Sequence, residues 1–376
     1  MLTSDELFRY SRQLVLPDFG KQGQEKLKQA KVLVIGAGGL GAPVLLYLAA
    51  AGVGHIGIVD HDNVDISNLQ RQVLFYTADI GKSKAETAAT RLHELNTEIQ
   101  IKVFKEKLIA ENALNIIKQF DVIVDCSDNF PTRYLLNDAC VLLDKVLIYA
   151  SVFRYEGQLA VFNGKKSDGN HYPNYRDLFP EPPSPGTVMN CEQGGVLGVL
   201  PGLIGCMQAN EVIKLIASSG DVLHGRLLIF DTLSMQQQII RIPERNSRLQ
   251  IKSLIDYEEF CGLKTKHTYS GMKEITVQEL KAMKDSGEDF QLIDVREDYE
   301  VETSDIGGEW IPMGDIPENV GKISKAKKVI IHCRSGGRSG NVVQWLEKNH
   351  GFSNLYNLKG GIVSWATEID PDMEVA

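Results

Sequence analysis

Residues 31–72, KVLVIGAGGLGAPVLLYLAAAGVGHIGIVDHDNVDISNLQRQ, place glycines, an acid and a polar cluster at spacings that suit a nucleotide. Gly36, Gly38 and Gly41, with Gly39 between them, fit Gly-x-Gly-x-x-Gly directly after the β-branched run 32–35. In that pattern one glycine makes a tight turn, one lets a phosphate approach the backbone, and one lets the helix pack on the strand. A helix over 40–51 points its positive end at the phosphates. Asp60 closes a second strand over 56–60, where an acid can hold ribose hydroxyls. An NAD-dependent oxidoreductase needs no more than this. It leaves Asn68, Arg71 and Gln72 without a task, whereas a reaction at a phosphate uses such residues.

A second cluster lies at 329–340, VIIHCRSGGRSG. A buried strand ends at His332, a helix is expected from about Ser339, and 333–338 forms the loop between them. Glycines let backbone N–H groups turn inward as an anion nest, and the following helix adds its dipole. Arg334 and Arg338 bring positive charge, with Gly336 and Gly337 between them. Each influence favours the thiolate, so Cys333 is expected to be a nucleophile. His332 reads as a strand residue and Asp294, upstream, as structural.

The elements that must position these clusters follow from length and pattern. A chain of 376 residues, 43% apolar, is expected to form two domains. Strands over 99–104, 122–126 and 146–150 alternate with helices over 82–96 and 131–142, implying a parallel sheet. Strands over 157–162 and 226–230 read as antiparallel additions. The Pro- and Gly-rich segment 164–190 is expected to lack regular structure and to serve as a lid or binding loop. The apolar segment 196–217 reads as a buried helix with Cys206 and Met207 in the core. A polar linker over 263–273 separates a domain over 1–262 from a smaller α/β domain over 274–376. That domain is expected to hold helices over 277–284 and 340–349 and strands over 290–294 and 329–332.

Other classes are disfavoured. Net charge is −9, with no broad basic surface for nucleic acid. No apolar run approaches the ~20 residues of a membrane span, and the N-terminus lacks a signal-peptide core. Six scattered cysteines lack disulfide-scaffold density, so a cytoplasmic setting is expected.

In order along the chain, RYSRQ (9–13), GAGGLG, SNLQRQ, GKSKAE (81–86), DCSDN (125–129), EGQLAVF and NCEQGGVLG resemble the motifs of the MoeB/ThiF family, bacterial relatives of ubiquitin-activating enzymes. The match runs through most of residues 1–262. The Cys333 loop, with four residues before Arg338, is shorter than a tyrosine-phosphatase loop and resembles that of single-domain rhodaneses, as does LIDVRE (292–297). The whole chain is similar to fused adenylyltransferase/sulfurtransferases of molybdopterin-type and tRNA-thiolation systems.

The resemblance implies an α/β fold: a Rossmann-like ATP-binding domain with a mixed, mainly parallel sheet, then a rhodanese domain. It implies that a ubiquitin-like sulfur carrier with a Gly-Gly tail, of the MoaD/ThiS type, is adenylated with ATP and Mg²⁺. In this reading Arg71 and Lys84 meet the phosphates, Asn68 helps place them, Asp60 binds the ribose and Asp128 holds Mg²⁺. Arg12 reaches the site of the other subunit of a homodimer, although Arg9 lies one turn away. Sulfur then comes from a Cys333 persulfide, loaded by a cysteine desulfurase or thiosulfate, with Cys191 as the releasing thiol. Activation for protein conjugation through a Cys191 thioester, with a non-catalytic rhodanese module, is the alternative.

Many relatives hold zinc with two Cys-x-x-Cys pairs. Here Tyr172 and Tyr175 stand in place of the first pair, and Glu258 and Cys261 in place of the second. One thiol, one carboxylate and two phenols are a poor zinc set, so no structural zinc is expected and packing, including the tyrosine rings, must replace it.

Overall fold

The computed structural model describes residues 1–183, 194–262 and 272–375. The chain forms two compact units, Met1–Thr265 and Lys266–Ala376.

In the first unit, β1 (Lys31–Ile35), β2 (His55–Val59), β3 (Gln100–Phe104), β4 (Val122–Asp125) and β5 (Val146–Phe153) are parallel. An antiparallel meander of β6 (Glu156–Phe162), β7 (Arg226–Asp231) and β8 (Gln236–Arg241) extends the sheet beyond β5. The sheet order is β3-β2-β1-β4-β5-β6-β7-β8. The apolar run of β1 is buried on both faces because its side chains alternate between two cores. Val32 and Val34 join the core beneath the Gly41–Ala51, Lys84–Leu95 and Val199–Ala217 helices. Leu33 and Ile35 join the core under the Ala110–Ile117 and Phe130–Leu143 helices. From β1 the chain proceeds outward through β2 and β3, then returns to β4 on the opposite side. That reversal opens a crevice at the carboxyl ends of β1 and β4, where open α/β sheets bind ligands.

Three expectations need correction. Strand β8 was not anticipated: all six residues are exposed and QQQIIR lacks alternation. Within 164–190, the described part carries a short helix, Tyr175–Leu178, whose Tyr175 and Asp177 are buried; residues 184–190 lie outside the described residues. The Val199–Ala217 helix has 19 residues and mean hydropathy 1.3, long and apolar enough to cross a membrane. Its Leu200, Ile204, Ala209 and Val212 are packed in the core against the sheet, while Cys206 and Met207 are only half-buried. Buried Gln208 donates from Nε2 to the carbonyls of Asp125 at 2.8 Å and Ile148 at 3.4 Å, tying this helix to β4 and β5.

The second unit is an all-parallel sheet of β9 (Glu274–Ile275), β10 (Phe290–Asp294), β11 (Glu309–Trp310), β12 (Lys328–His332) and β13 (Leu355–Leu358), in the order β11-β10-β12-β13-β9. Strands β9, β11 and β13 and the Asp298–Thr303 and Gly361–Glu368 helices go beyond the sequence reading. The helix after Cys333 runs Gly337–His350, beginning two residues earlier than expected. Its first turn therefore includes Gly337 and Arg338, leaving Cys333, Arg334, Ser335 and Gly336 as the loop.

Candidate functional site

The glycine turn is shaped by contacts that only glycine permits. Gly36 sits at φ +93°, and a Cβ there would lie 2.8 Å from the Cys126 carbonyl oxygen at the end of β4. At Gly41 a Cβ would lie 2.0 Å from the Gly36 carbonyl oxygen, so this residue sets how closely the helix follows the turn. Gly38 faces Gln72 Nε2, and Gly39 faces Pro201 and the Arg71 stem. The SNLQRQ segment is thus folded back onto the turn.

Asp60, directly after β2, is 8% exposed. Its Oδ2 accepts from the Ala37 N–H at 2.7 Å and its Oδ1 from the Asp62 N–H at 2.9 Å. Burial pushes this carboxyl above the usual range, against those N–H groups and Lys84. Lys84 opens the Lys84–Leu95 helix, which Ser83 caps. It is buried, with Nζ 3.1 Å from Asp62 Oδ2. Arg71, half-buried, donates from Nη1 to the Ser67 carbonyl at 3.1 Å. Asn68 donates to Ser67 Oγ at 3.3 Å. Gln72 is buried, and its Oε1 has no partner. Asp128, just beyond β4, is exposed and accepts from Asn129 Nδ2 at 3.2 Å.

The fold therefore gathers Gly36–Gly41, Asp60, Asn68, Arg71, Gln72, Lys84 and Asp128 at one edge of the sheet. Cationic nitrogens, a positive helix end and a carboxylate on the rim can bind a polyphosphate and stabilise charge developing on it. Arg12 is not among them. It is exposed in the short Ser11–Leu14 helix, next to Gln13, whose Nε2 donates to the Ala51 carbonyl at 3.1 Å. Ala51 ends the eleven-residue helix that begins at the glycine turn, about 16 Å away along its axis. Arg9 is also exposed and donates to the Leu95 carbonyl at 3.1 Å.

The sequence reading passed over several residues of this edge. Asp125 at the end of β4 is wholly buried, its Oδ1 bonded to the Ser127 N–H and Oγ and its Oδ2 without a hydrogen bond. Burial drives its carboxyl up, opposed by the charge of buried Arg133. Asp62 carries a readable signal, an acid two residues past Asp60 at a strand end.

At the second cluster Cys333 is 1% exposed, at the floor of its loop. Its Sγ lies 3.2 Å from the donating Gly336 N–H and 3.4 Å from Ser339 Oγ. Ser339 Oγ is also 2.7 Å from Asn357 Oδ1, so its one proton is shared between two acceptors. Gly336, at φ +94°, turns the loop into the helix. Arg334 and Ser335 are exposed. Arg338 requires correction: both terminal nitrogens are bound by Glu300, at 2.6 Å each, so its charge is neutralised locally. Ser339, Asn357 and Glu300 escaped sequence reasoning because two of them lie on other elements. Asp294 is structural, held at both oxygens by buried Arg296. His332 is buried in β12 with no hydrogen bond at either ring nitrogen, and burial lowers its pKa to about 4.

Around the four positions compared with zinc ligands, Tyr172 stacks on His224 at 4.8 Å. Tyr175 packs edge-on to Tyr134 at 5.1 Å, and Tyr134 to Phe260 at 5.2 Å. Arg176 lies over Tyr134 and Phe260 while pairing at 2.7 Å with buried Asp138, which also accepts from Tyr257 Oη at 2.8 Å. Cys261 is buried among them, its thiol pushed up to about 11 by burial. Rings and an ion pair hold together segments that are far apart in sequence.

Fold and site together define an α/β enzyme with a nucleotide edge in one unit and a thiol cradle in the other. The ThiF family model matches residues 10–251 and the rhodanese-like domain model residues 276–368. A probable adenylyltransferase/sulfurtransferase MoeZ of Mycobacterium tuberculosis is 46% identical over 99% of this chain and 96% of its own length. An adenylyltransferase and sulfurtransferase MOCS3 of Culex quinquefasciatus is 40% identical over 100% and 90%. The crystal structure of E. coli MccB with ATP shares the fold, with TM-score 0.51 and 24% identity over 59% of this chain and 67% of that one. The chain belongs to the ThiF family, carries a C-terminal rhodanese-like domain, and is an enzyme of the adenylyltransferase/sulfurtransferase class. That class leaves the oxidoreductase reading without support.

Proposed function

We propose that the chain adenylates the Gly-Gly carboxylate of a ubiquitin-like sulfur carrier, of the MoaD/ThiS type, and replaces one of its oxygens with sulfur carried on Cys333. One observation carries the reading: a single chain joins a phosphate-suited edge around Arg71, Lys84 and Asp60 to a thiol accepting hydrogen bonds at a helix N-terminus.

A carrier carboxylate oxygen attacks the α-phosphorus of ATP. The bond to the bridging oxygen breaks, and pyrophosphate leaves with the electron pair. Nucleophile and phosphates are both anionic, so pre-placed positive charge lowers the barrier. Lys84 and Arg71 provide it, Asn68 and Gln72 donate to phosphate oxygens, and Asp60 takes the ribose hydroxyls. The glycine turn leaves the space, and Gln72 turns its donating Nε2 toward Gly38. Mg²⁺ accompanying the phosphates suits the exposed oxygens of Asp128 and would neutralise phosphate charge. Arg12 takes part only in a homodimer, where it serves the other subunit's site.

The terminal sulfur of a Cys333 persulfide then attacks the acyl carbon, and AMP leaves. Carrier and enzyme are joined through an acyl disulfide. A second thiol attacks the Cys333 sulfur, forming a disulfide and releasing the thiocarboxylate. Cys191 is the proposed thiol; it lies outside the described residues. None of the five described cysteines is in a disulfide, which suits cytoplasmic, reducing conditions. The packed rings at Tyr175 and Tyr134 support folding without a structural zinc.

ATP–pyrophosphate exchange with Gly-Gly carriers tests the first half. Absence of exchange with every carrier, in folded protein with Mg²⁺, refutes it. Cys333→Ala should keep exchange and abolish the oxygen-to-sulfur mass change of the carrier. Attachment of the carrier to other proteins that is insensitive to Cys333→Ala, with no oxygen-to-sulfur change in the parent, favours the Cys191 thioester route.

A further inference from the structure

The sulfur loop carries its own resident anion. Glu300, the third residue of the Asp298–Thr303 helix, is 3% exposed. Its two oxygens take both terminal nitrogens of Arg338 at 2.6 Å, and Oε2 also accepts from the Glu297 N–H at 3.0 Å. Although burial opposes it, Arg338 and that N–H hold the Glu300 carboxyl below the usual range, so it is charged at neutral pH. Arg338 is the second residue of the helix whose N-cap, Gly336, and third residue, Ser339, reach the Cys333 sulfur. A cation there would draw a small anionic donor to the loop. Glu300 already occupies it, bidentate and buried. The hydrogen bonds reaching Sγ come from the neutral Gly336 N–H and Ser339 Oγ.

We propose that Glu300 determines donor specificity at the Cys333 loop: by sequestering Arg338 it disfavours small dianionic sulfur donors and leaves the loop to donors presenting sulfur on a thiol, as a persulfide. This rests on the reading of Cys333 as the sulfur-accepting nucleophile. With thiosulfate the Cys333 thiolate attacks the outer sulfur, the S–S bond breaks, and sulfite leaves with the electron pair. Charge is conserved, since thiolate plus dianion become persulfide anion plus sulfite. Cyanide then removes the outer sulfur as thiocyanate. The approach brings a double negative charge toward Glu300.

The full chain is assayed for thiocyanate formation from thiosulfate, a dianion, and from toluenethiosulfonate, a monoanion that delivers sulfur in the same way. Glu300→Gln keeps an oxygen for the Glu297 N–H and removes one charge. It should raise kcat/KM for thiosulfate roughly tenfold and for toluenethiosulfonate roughly threefold, because the Coulomb energy scales with donor charge. The gain should shrink as salt is added. Glu300→Gln/Arg338→Gln, which lacks the released cation, should lose it. If folded Glu300→Gln gains nothing with thiosulfate, or gains equally with both donors, the proposal is overturned. Should the single variant not fold, a folded double variant that gains roughly tenfold with thiosulfate overturns it too, because no cation has then been released. Mass spectrometry of the parent chain separates the underlying reading: no persulfide on Cys333 with any donor removes that reading and the proposal with it.

Discussion

Replacing Gly41 with alanine puts a methyl group where the Gly36 carbonyl oxygen already is. The new carbon would stand 2.0 Å from that oxygen and 2.9 Å from its carbon, both backbone atoms, in a range real contacts do not reach. The helix and the turn must part by about 1 Å, a form of overpacking that costs about 1–3 kcal/mol. The catalytic cost is larger. In the proposed reading the helix N-terminus meets the phosphates and Asp60, anchored on the Ala37 N–H, meets the ribose, and a 1 Å misplacement of reacting groups costs roughly 100-fold. ATP–pyrophosphate exchange should therefore fall about 100-fold, with a modest loss of thermal stability. Gly202→Ala is the control. Nothing lies within 4 Å of its Cβ position, and in the Val199–Ala217 helix alanine should add up to about 1 kcal/mol with exchange unchanged. Exchange within about twofold of the parent in Gly41→Ala would show that helix–turn distance does not control the reaction, refuting the argument.

Lys84→Met should lower exchange by about 10²–10³, the scale of a lost electrostatic stabiliser. Folding stability should barely move in urea titrations, because the partner Asp62 is 54% exposed and regains water. The Cys333 unit should weaken as pH falls. Buried His332, with its pKa pushed down to about 4, refuses the proton that its unfolded form takes up below about 6.5. Its contribution is whole above 6.5 and falls as pH drops toward 4, a loss on the order of 3 kcal/mol. All three tryptophans, Trp310, Trp345 and Trp365, lie in that unit, so their fluorescence in urea reports it, and His332→Leu should flatten the profile. Arg176→Met should cost about 3–5 kcal/mol by circular dichroism in urea, since it leaves buried Asp138 to Tyr257 and Asn137. Ser339→Ala should slow persulfide formation on Cys333, measured by mass spectrometry, because among the described residues Sγ then keeps the Gly336 N–H alone as donor.

The sequence by itself determined the elements with strong local signals. β-branched runs that must be buried on both faces read as β1, β2 and β4, and glycines at unforgiving spacings read as turns beside phosphates. The cysteine between strand and glycine loop was legible for the same reason: its neighbours in sequence are its neighbours in space. Strand β8 was missed because an exposed edge needs no apolar alternation. The short helix at Tyr175 was missed because its burial comes from Tyr134, Tyr149 and Phe162, all distant along the chain.

Tertiary structure decided where the charges go. Arg338 looked like a cation for the sulfur loop until Glu300 was found to hold it. Lys84 sits beside Asp62, a pairing across 22 residues that spacing did not announce. Covalent spacing controls backbone shape over a few residues, so motifs declare turns, strands and nucleophiles. Charge acts through space, and which carboxylate neutralises which cation depends on how strands and helices are brought together, something no spacing along the chain records.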